Sequence, residues 1–289
     1  MHMSADPTAR GWTVSRSGRA SKYRVASRDG TEIACWTSGN GPHLVVVHGV
    51  AADHSRWRPL LPHLEPHVTV HAMDRRGRGA SGDASAYALE REAEDVAAVV
   101  DAVAEHHGSR VDVYGHSHGA FCAFGAAALT ENVRRLALYE GWPLPDPSVY
   151  VLPAALEDRM ENLLAAGDPG GAVEALFRGL LEMSDADIAA FKAAPSWPAR
   201  VAAAHTIGRE VRAEARARLE PDAAARITVP VLLITGEESA DPARAGAAAV
   251  AEALPDAYVV ELEGQGHVAD VLAPEAFGRR LLRWFRDEG

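Results

Sequence analysis

Two cysteines in 289 residues leave little scope for sulfur chemistry. Neither Cys35 nor Cys122 has a second ligand at the short spacing of a zinc site, and two thiols cannot make a disulfide framework. A reduced pair in the cytoplasm is the simpler expectation. Positive charge is also in deficit, 29 Lys and Arg against 40 Asp and Glu, a formal charge of −11. Nucleic acid and anionic membrane are therefore not expected as partners, because a net negative surface repels both. No apolar run approaches the roughly 18 residues that a membrane-spanning helix needs. The first twenty-odd residues lack the apolar centre of a signal peptide, so a cytoplasmic location is expected. No glycine-rich phosphate loop or dinucleotide fingerprint stands at a first strand–helix turn. Neither cofactor nor metal is expected, and there is no internal repeat.

What is present is a globular balance, 47% hydrophobic and 24% charged residues, with ample apolar material for a core. Eight short β-rich runs stand out: Lys22–Ser27, Glu32–Thr37, His43–His48, Val68–Asp74, Val111–Tyr114, Val133–Tyr139, Val231–Thr235 and Tyr258–Leu262. LVVVH and VLLIT are continuously apolar, as parallel strands covered on both faces require. Helical patterns alternate with them. In residues 87–107, Leu89, Ala93, Val96, Val100 and Val103 form one stripe at spacings of three and four. Pro274–Arg286 opens on proline and places Phe277, Leu281, Leu282 and Phe285 on one face. Alternation of this kind predicts an α/β fold with a mostly parallel sheet flanked by helices. Residues 143–226 carry no strand pattern, only alanine-rich helical stretches, and are expected to form a helical cap. The core is then 21–142 with 227–289, and residues 1–20 are expected to be flexible.

One stretch carries chemistry. VYGHSHGAFCAFG, residues 113–125, sets Ser117 in a Gly-x-Ser-x-Gly frame between a strand pattern and a helix pattern. Gly115 and Gly119 permit the sharp turn that lifts the hydroxyl clear of the sheet. The helix N-terminus behind it offers unpaired N–H groups to a developing oxyanion. Alone, the serine could equally be a helix cap.

With its companions the stretch resembles the α/β-hydrolase fold family over nearly the whole chain from Tyr23. The pieces are LVVVHG ending in His48–Gly49, MDRRGRGASG with Asp74, Gly77, Gly79 and Ser81, YGHSHG, LALYEG, and LEGQGHVAD. The resemblance implies an eight-stranded sheet with a helical cap, Ser117 as nucleophile and His267 as its base. It implies the N–H groups of Val50 and His118 as oxyanion hole, and a structural turn at Asp74–Ser81. The usual place for the acid, three residues after Gly236, holds Ser239. Glu140, 23 residues after Ser117 at the end of the sixth predicted strand, is the preferred acid, as in haloalkane dehalogenases, with Asp241 the alternative and Glu237 and Glu238 behind it. His116, Trp142 and Val268 are expected to contact substrate, and His48 to be a structural hydrogen-bonder. Cys122 is expected to pack in the core, and Asp270 to start a helix or sit on the rim.

Such an array implies acyl transfer through an acyl-enzyme. Trp197, Phe177, Phe191, Met160 and Met183 in the cap favour a medium-sized, largely apolar or amphipathic small molecule, although each could simply pack the cap's own core. Hydrolysis of a carboxylester, lactone or thioester is the leading expectation. A lyase or cyclase using the same groups, or a ligand-binding relative, stays open.

Overall fold

The computed structural model describes residues 15–17, 20–146, 152–239 and 241–286, and side chains from residue 21 onward except those of Asp241 and Pro242. Nine strands form one sheet: β1 (Ser15–Ser17), β2 (Ala20–Ala26), β3 (Glu32–Gly39), β4 (His43–Val47), β5 (Thr69–Met73), β6 (Val111–His116), β7 (Val133–Tyr139), β8 (Val231–Gly236) and β9 (Ala257–Leu262). The last eight are the eight read from the sequence. β1 is an addition, and it corrects the expectation that residues 1–20 are wholly flexible. It pairs antiparallel with β2, Ser15 opposite Lys22. Residues 1–14 and 18–19 of that segment lie outside the described residues.

The strand order is β1-β2-β3-β5-β4-β6-β7-β8-β9. β2, β3 and β5 run antiparallel to their neighbours in sequence along the sheet, and from β5 through β4 to β9 every pairing is parallel. β4, β6 and β8 are buried along nearly their whole length, which is why they read as unbroken apolar runs.

The helices, in chain order, are α1 (Leu61–Leu64), α2 (Leu89–His107), α3 (His118–Ala127), α4 (Ala154–Ala165), α5 (Pro169–Gly179), α6 (Asp185–Ala193), α7 (Trp197–Ala202), α8 (Ile207–Glu214), α9 (Pro221–Ala225), α10 (Asp241–Ala253), α11 (Ala269–Leu272) and α12 (Pro274–Phe285). α2 buries Ala93, Val96, Val100 and Val103, the stripe seen in the sequence, and stops at Gly108, whose φ of 69° is a left-handed cap. Together with α3, α9 and α10 it covers one face of the sheet. α1, α11 and α12 cover the other, with Phe277, Leu281, Leu282 and Phe285 buried. Burying each such side chain contributes about 1.5–3 kcal/mol. Helices α4 to α9 fall between β7 and β8. Of these, α4 to α8 have their own apolar cluster, built on Met160, Val173, Leu176, Phe177, Ile188, Phe191 and Val211, and Ala51 and Val268 from the sheet side join it.

Parallel register carries four strand ends to one rim. Val47 pairs with Gly115, His116 with Tyr139, and Tyr139 with Ile234. The residues that follow, Gly49, Ser117, Glu140 and Gly236, are therefore neighbours in space. Two glycines permit the close approach. A Cβ on Gly119 would lie 2.2 Å from the carbonyl oxygen of Val47, and one on Gly115 2.6 Å from the oxygen of Gly119. Gly82, by contrast, has nothing nearer than 3.6 Å. Gly119→Ala should therefore cost at least about 2 kcal/mol in urea unfolding, while Gly82→Ala should stay within about 0.5 kcal/mol; equal losses would contradict this packing.

Candidate active site

Ser117 sits between β6 and α3 with φ 54° and ψ −128°, a left-handed backbone that an L-residue adopts only under strain. Its amide is held by the Tyr139 carbonyl at 2.8 Å, and its own carbonyl accepts from Ala120 at 2.8 Å. The side chain is half-buried. Two further non-glycine residues of this rim, Ala51 and Glu140, share positive φ, 47° each. Gly141 explains how Ser117 and Glu140 can be so close, since a Cβ there would stand 1.9 Å from the Ser117 carbonyl oxygen.

Glu140 leaves β7 pointing at the loop that bears His267. Its Oε2 accepts from His267 Nδ1 at 2.7 Å. Its Oε1 accepts from the Gly236 N–H at 2.7 Å and from the Ser239 hydroxyl at 2.5 Å. Burial pushes the carboxyl pKa up, but the His267 hydrogen bond and charge, then Ser239 and Gly236, outweigh it and hold the group below the ordinary carboxylate range. Ser239, at the position where the acid is usual, thus donates to the Glu140 carboxylate. The side chain of Asp241, the alternative acid, lies outside the described residues.

With Nδ1–H committed to Glu140, His267 carries its lone pair on Nε2. That nitrogen is buried and has no hydrogen-bond partner among the described residues. The loop around it is pinned by Tyr139, whose hydroxyl donates to the Gly266 carbonyl and accepts from the Ala269 N–H at 3.1 Å. The carbonyl of His267 accepts from His116 Nε2 at 2.8 Å. Burial and the adjacent Arg56 keep the His116 pKa well below the usual histidine range, so a neutral ring donates this bond.

Peptide planarity orients two N–H groups. In a trans peptide the N–H points opposite to the preceding C=O. The Gly49 carbonyl is tied inward by His48 Nδ1 at 2.9 Å and by Arg75 Nη1 at 3.0 Å, which turns the Val50 N–H outward. The Ser117 carbonyl is tied along α3, which turns the His118 N–H out of the helix N-terminus. The ideal Cβ position on Gly49 is 3.0 Å from Ser117 Cβ, so both groups belong to the same small space.

The remaining expectations divide. Val268 is buried in the apolar cluster of α4–α8 beside Ala51. Trp142, expected at the substrate, is instead 3% exposed in the core beneath the sheet; its indole nitrogen stands 2.9 Å from the ideal Cβ position of Gly246 on α10, the gap that receives it. His116 is buried, and its Nε2 serves the His267 loop rather than an open pocket. Asp270 begins α11, yet it is fully buried rather than on the rim, paired with Arg56 Nη2 at 2.7 and 2.8 Å and with Tyr114 at 3.3 Å. Asp74 accepts from the amides of His54 and Ala80, at 2.9 Å each, and closes the expected turn. Cys122 is a buried free thiol. Sequence reasoning missed Gly141, Tyr139, Arg56, Arg75 and Arg200, although Tyr139 and Gly141, in LALYEG, and Arg75, in MDRRGRGASG, lay inside stretches already singled out.

The description "Alpha/beta hydrolase family" matches residues 44–280. The chain belongs to the alpha/beta hydrolase family. An α/β-hydrolase crystal structure from Sphaerobacter thermophilus superposes with a TM-score of 0.76 at 36% identity, covering 91% of this chain and 99% of that one. A 2-(acetamidomethylene)succinate hydrolase of Mesorhizobium japonicum is 29% identical over 248 residues, 82% of this chain and 85% of the relative. A pimeloyl-[acyl-carrier protein] methyl ester esterase of Xanthomonas campestris is 30% identical over 246 residues, 79% and 89% of the respective chains. This α/β-hydrolase is thus an enzyme of a hydrolytic family, and among its described residues no helix is long and apolar enough to cross a membrane.

Two predictions follow from the buried charges of this α/β-hydrolase. Asp270→Ala leaves Arg56 unpaired and should cost about 3–5 kcal/mol in chemical denaturation, while Arg56→Met with Asp270→Leu should recover much of the loss. Glu140 has a lowered folded pKa, so its contribution to stability is complete above its ordinary value of 4.5 and vanishes as pH falls through the lowered one. The stability difference between wild type and Glu140→Gln should therefore be largest near neutral pH and shrink in acid; a difference that grows in acid would refute the charged assignment.

Proposed function

We propose that this α/β-hydrolase is a serine hydrolase that cleaves an ester-type bond, a carboxylester, lactone or thioester, of a medium-sized and largely apolar small molecule. The observation that carries this is the buried Nε2 of His267, unpartnered at the rim that bears Ser117 while Nδ1 is locked to Glu140. In this reading His267 takes the proton of the Ser117 hydroxyl as the oxygen attacks the substrate carbonyl. The Val50 and His118 N–H groups receive the oxyanion, and His267 returns the proton to the leaving group. Water then attacks the acyl-enzyme with the same histidine as base. Glu140 fixes the tautomer and stabilises the imidazolium without itself being protonated. Helices α4–α9 act as a cap, whose apolar cluster is joined from the sheet side by Ala51 and Val268. The names of the two relatives, a 2-(acetamidomethylene)succinate hydrolase and a pimeloyl-[acyl-carrier protein] methyl ester esterase, support a hydrolytic reaction.

A lyase or cyclase would use the same base without an acyl-enzyme, and labelling separates the two. A fluorophosphonate probe should modify Ser117, and His267→Ala should abolish the adduct. Glu140→Gln should lower turnover of a p-nitrophenyl ester about 10⁴-fold, and Ser239→Ala, which removes one hydrogen bond to the carboxylate, about tenfold. Asp241→Asn should leave activity near wild type. Loss with Asp241→Asn but not with Glu140→Gln would transfer the acid role, and an unlabelled folded protein would sink the hydrolase reading.

A further inference from the structure

Arg200, on α7, is a buried cation without an anion. Its residue is 3% exposed, and among the described residues no carboxylate lies within ion-pair distance. One nitrogen, Nη1, donates to the Ala51 carbonyl at 3.2 Å. Nε is buried and makes no hydrogen bond. The guanidinium is held over the rings of Phe191 and Phe177, 4.8 and 5.5 Å from their centroids. Aromatic faces and one carbonyl stabilise a guanidinium only partly, while burial of a charge costs several kcal/mol unless it is paired. The acids nearby are committed elsewhere: Asp270 to Arg56, and Asp53 to the Ser55 amide and hydroxyl. Burial and the like charge of Arg56, in that order, pull the Arg200 pKa down to about 9, with Asp270 and Asp53 acting the other way. Even so depressed, the group is a cation at neutral pH.

Its position is as informative as its charge. Ala51 follows Val50, whose N–H faces the Ser117 space, and Gly49 lies against Ser117. Consecutive Cα atoms are about 3.8 Å apart, so the Ala51 carbonyl that Arg200 grips lies only two residues along from that contact. Arg200 therefore reaches from α7 to the rim of the site, where it touches Ala51, Phe177 and Phe191 of the apolar cluster. Guanidinium offers a planar fork that fits a carboxylate. A single positive charge in a closed apolar setting matches a monoanion; a dianionic phosphate would need a second unpaired cation, and Arg56 is already neutralised.

We propose that Arg200 is a specificity residue that binds a free carboxylate carried by the substrate a few bonds from the scissile carbonyl, so that the preferred substrates are half-esters or related derivatives of dicarboxylic acids whose remaining body is apolar. This rests on the reading of Ser117 as nucleophile. Substrate binding completes the ion pair that the empty protein lacks, and a neutral analogue leaves the cation unpaired, so discrimination is expected against the neutral molecule.

The test compares ethyl hydrogen glutarate with ethyl valerate, equal in acyl length and different in the terminal carboxylate, by ethanol release. Wild type should favour the half-ester by at least about tenfold in kcat/KM, mostly through KM. Arg200→Met should bring the ratio near one, and Arg200→Lys, which keeps charge but not the fork, should lie between. A merely structural Arg200 would lower both rates together and leave the ratio unchanged. Independently of turnover, calorimetry with Ser117→Ala should detect binding of uncleaved ethyl hydrogen glutarate that is lost on adding Arg200→Met. Arg200-dependent half-ester binding in a protein whose Ser117 takes no fluorophosphonate would uphold the carboxylate site and overturn the hydrolase reading alone. Equal turnover of the two esters by wild type, or half-ester binding indifferent to Arg200, would overturn the proposal; the wild-type comparison holds even if the methionine variant does not fold.

Discussion

A carboxylate at the buried end of a central strand is the constraint around which this site is arranged. Glu140 has a side chain only 3% exposed, and such a group stays charged only where donors replace the lost water. Three donors do so, from three different segments: the imidazole of His267, the amide of Gly236 and the hydroxyl of Ser239. The Gly236 amide is fixed by the sheet, because β7 pairs with β8 up to Tyr139 and Ile234, one residue before Glu140 and two before Gly236. The carboxylate is thus stable where it sits only if the histidine loop closes over it. Folding and assembly of the site are one event.

Backbone strain is concentrated at the same rim. Ala51, Ser117 and Glu140 all adopt left-handed φ, a conformation that costs on the order of 1–3 kcal/mol for each such residue. What over-determines these positions is close main-chain packing. Gly119 lies against the ends of β4, Gly141 against the Ser117 carbonyl, and Gly49 against the Ser117 side chain. Tied carbonyls then orient the Val50 and His118 N–H groups. Arg75 is central to this, since its guanidinium both holds the His48 and Gly49 carbonyls and is neutralised by Glu92 at 2.6 Å.

Local pattern revealed what is local. The eight strands, the stripe of α2, the apolar face of α12 and the serine turn each have a period or a short motif, and each was readable. Glu140 was reachable by a longer inference, from Ser239 standing where an acid was expected and from a carboxylate ending an apolar strand. Trp142 was misplaced because an aromatic two residues past a candidate acid looks like a pocket wall, whereas the left-handed Glu140 redirects the chain and a glycine 104 residues further on opens the slot that the ring fills. Arg56 and Asp270 are 214 residues apart. Nothing in the neighbourhood of either announces such a pair, and the same holds for Arg200, whose meaning lies in the absence of a partner.

The helices between β7 and β8 are joined to the serine turn by polar contacts as well as apolar ones. The His118 ring, on the residue whose N–H faces the Ser117 space, has Nδ1 2.7 Å from Glu214 of α8 and Nε2 2.9 Å from the Tyr87 hydroxyl. Burial, then the nearby Arg75, lower its pKa, so a neutral ring donates to Glu214 and accepts from Tyr87. One turn earlier on α8, Glu210 meets Arg78 and lies 3.4 Å from Arg75, the same arginine that grips the Gly49 carbonyl. Both halves of the candidate oxyanion hole are therefore supported by groups that also contact α8. An outward shift of α8 would strand Glu210 and Glu214 away from their partners in a buried setting, which is costly. Helix α8 is held by the same charges that support the carbonyls beside those N–H groups, so its seating and the geometry at Ser117 are mechanically one property.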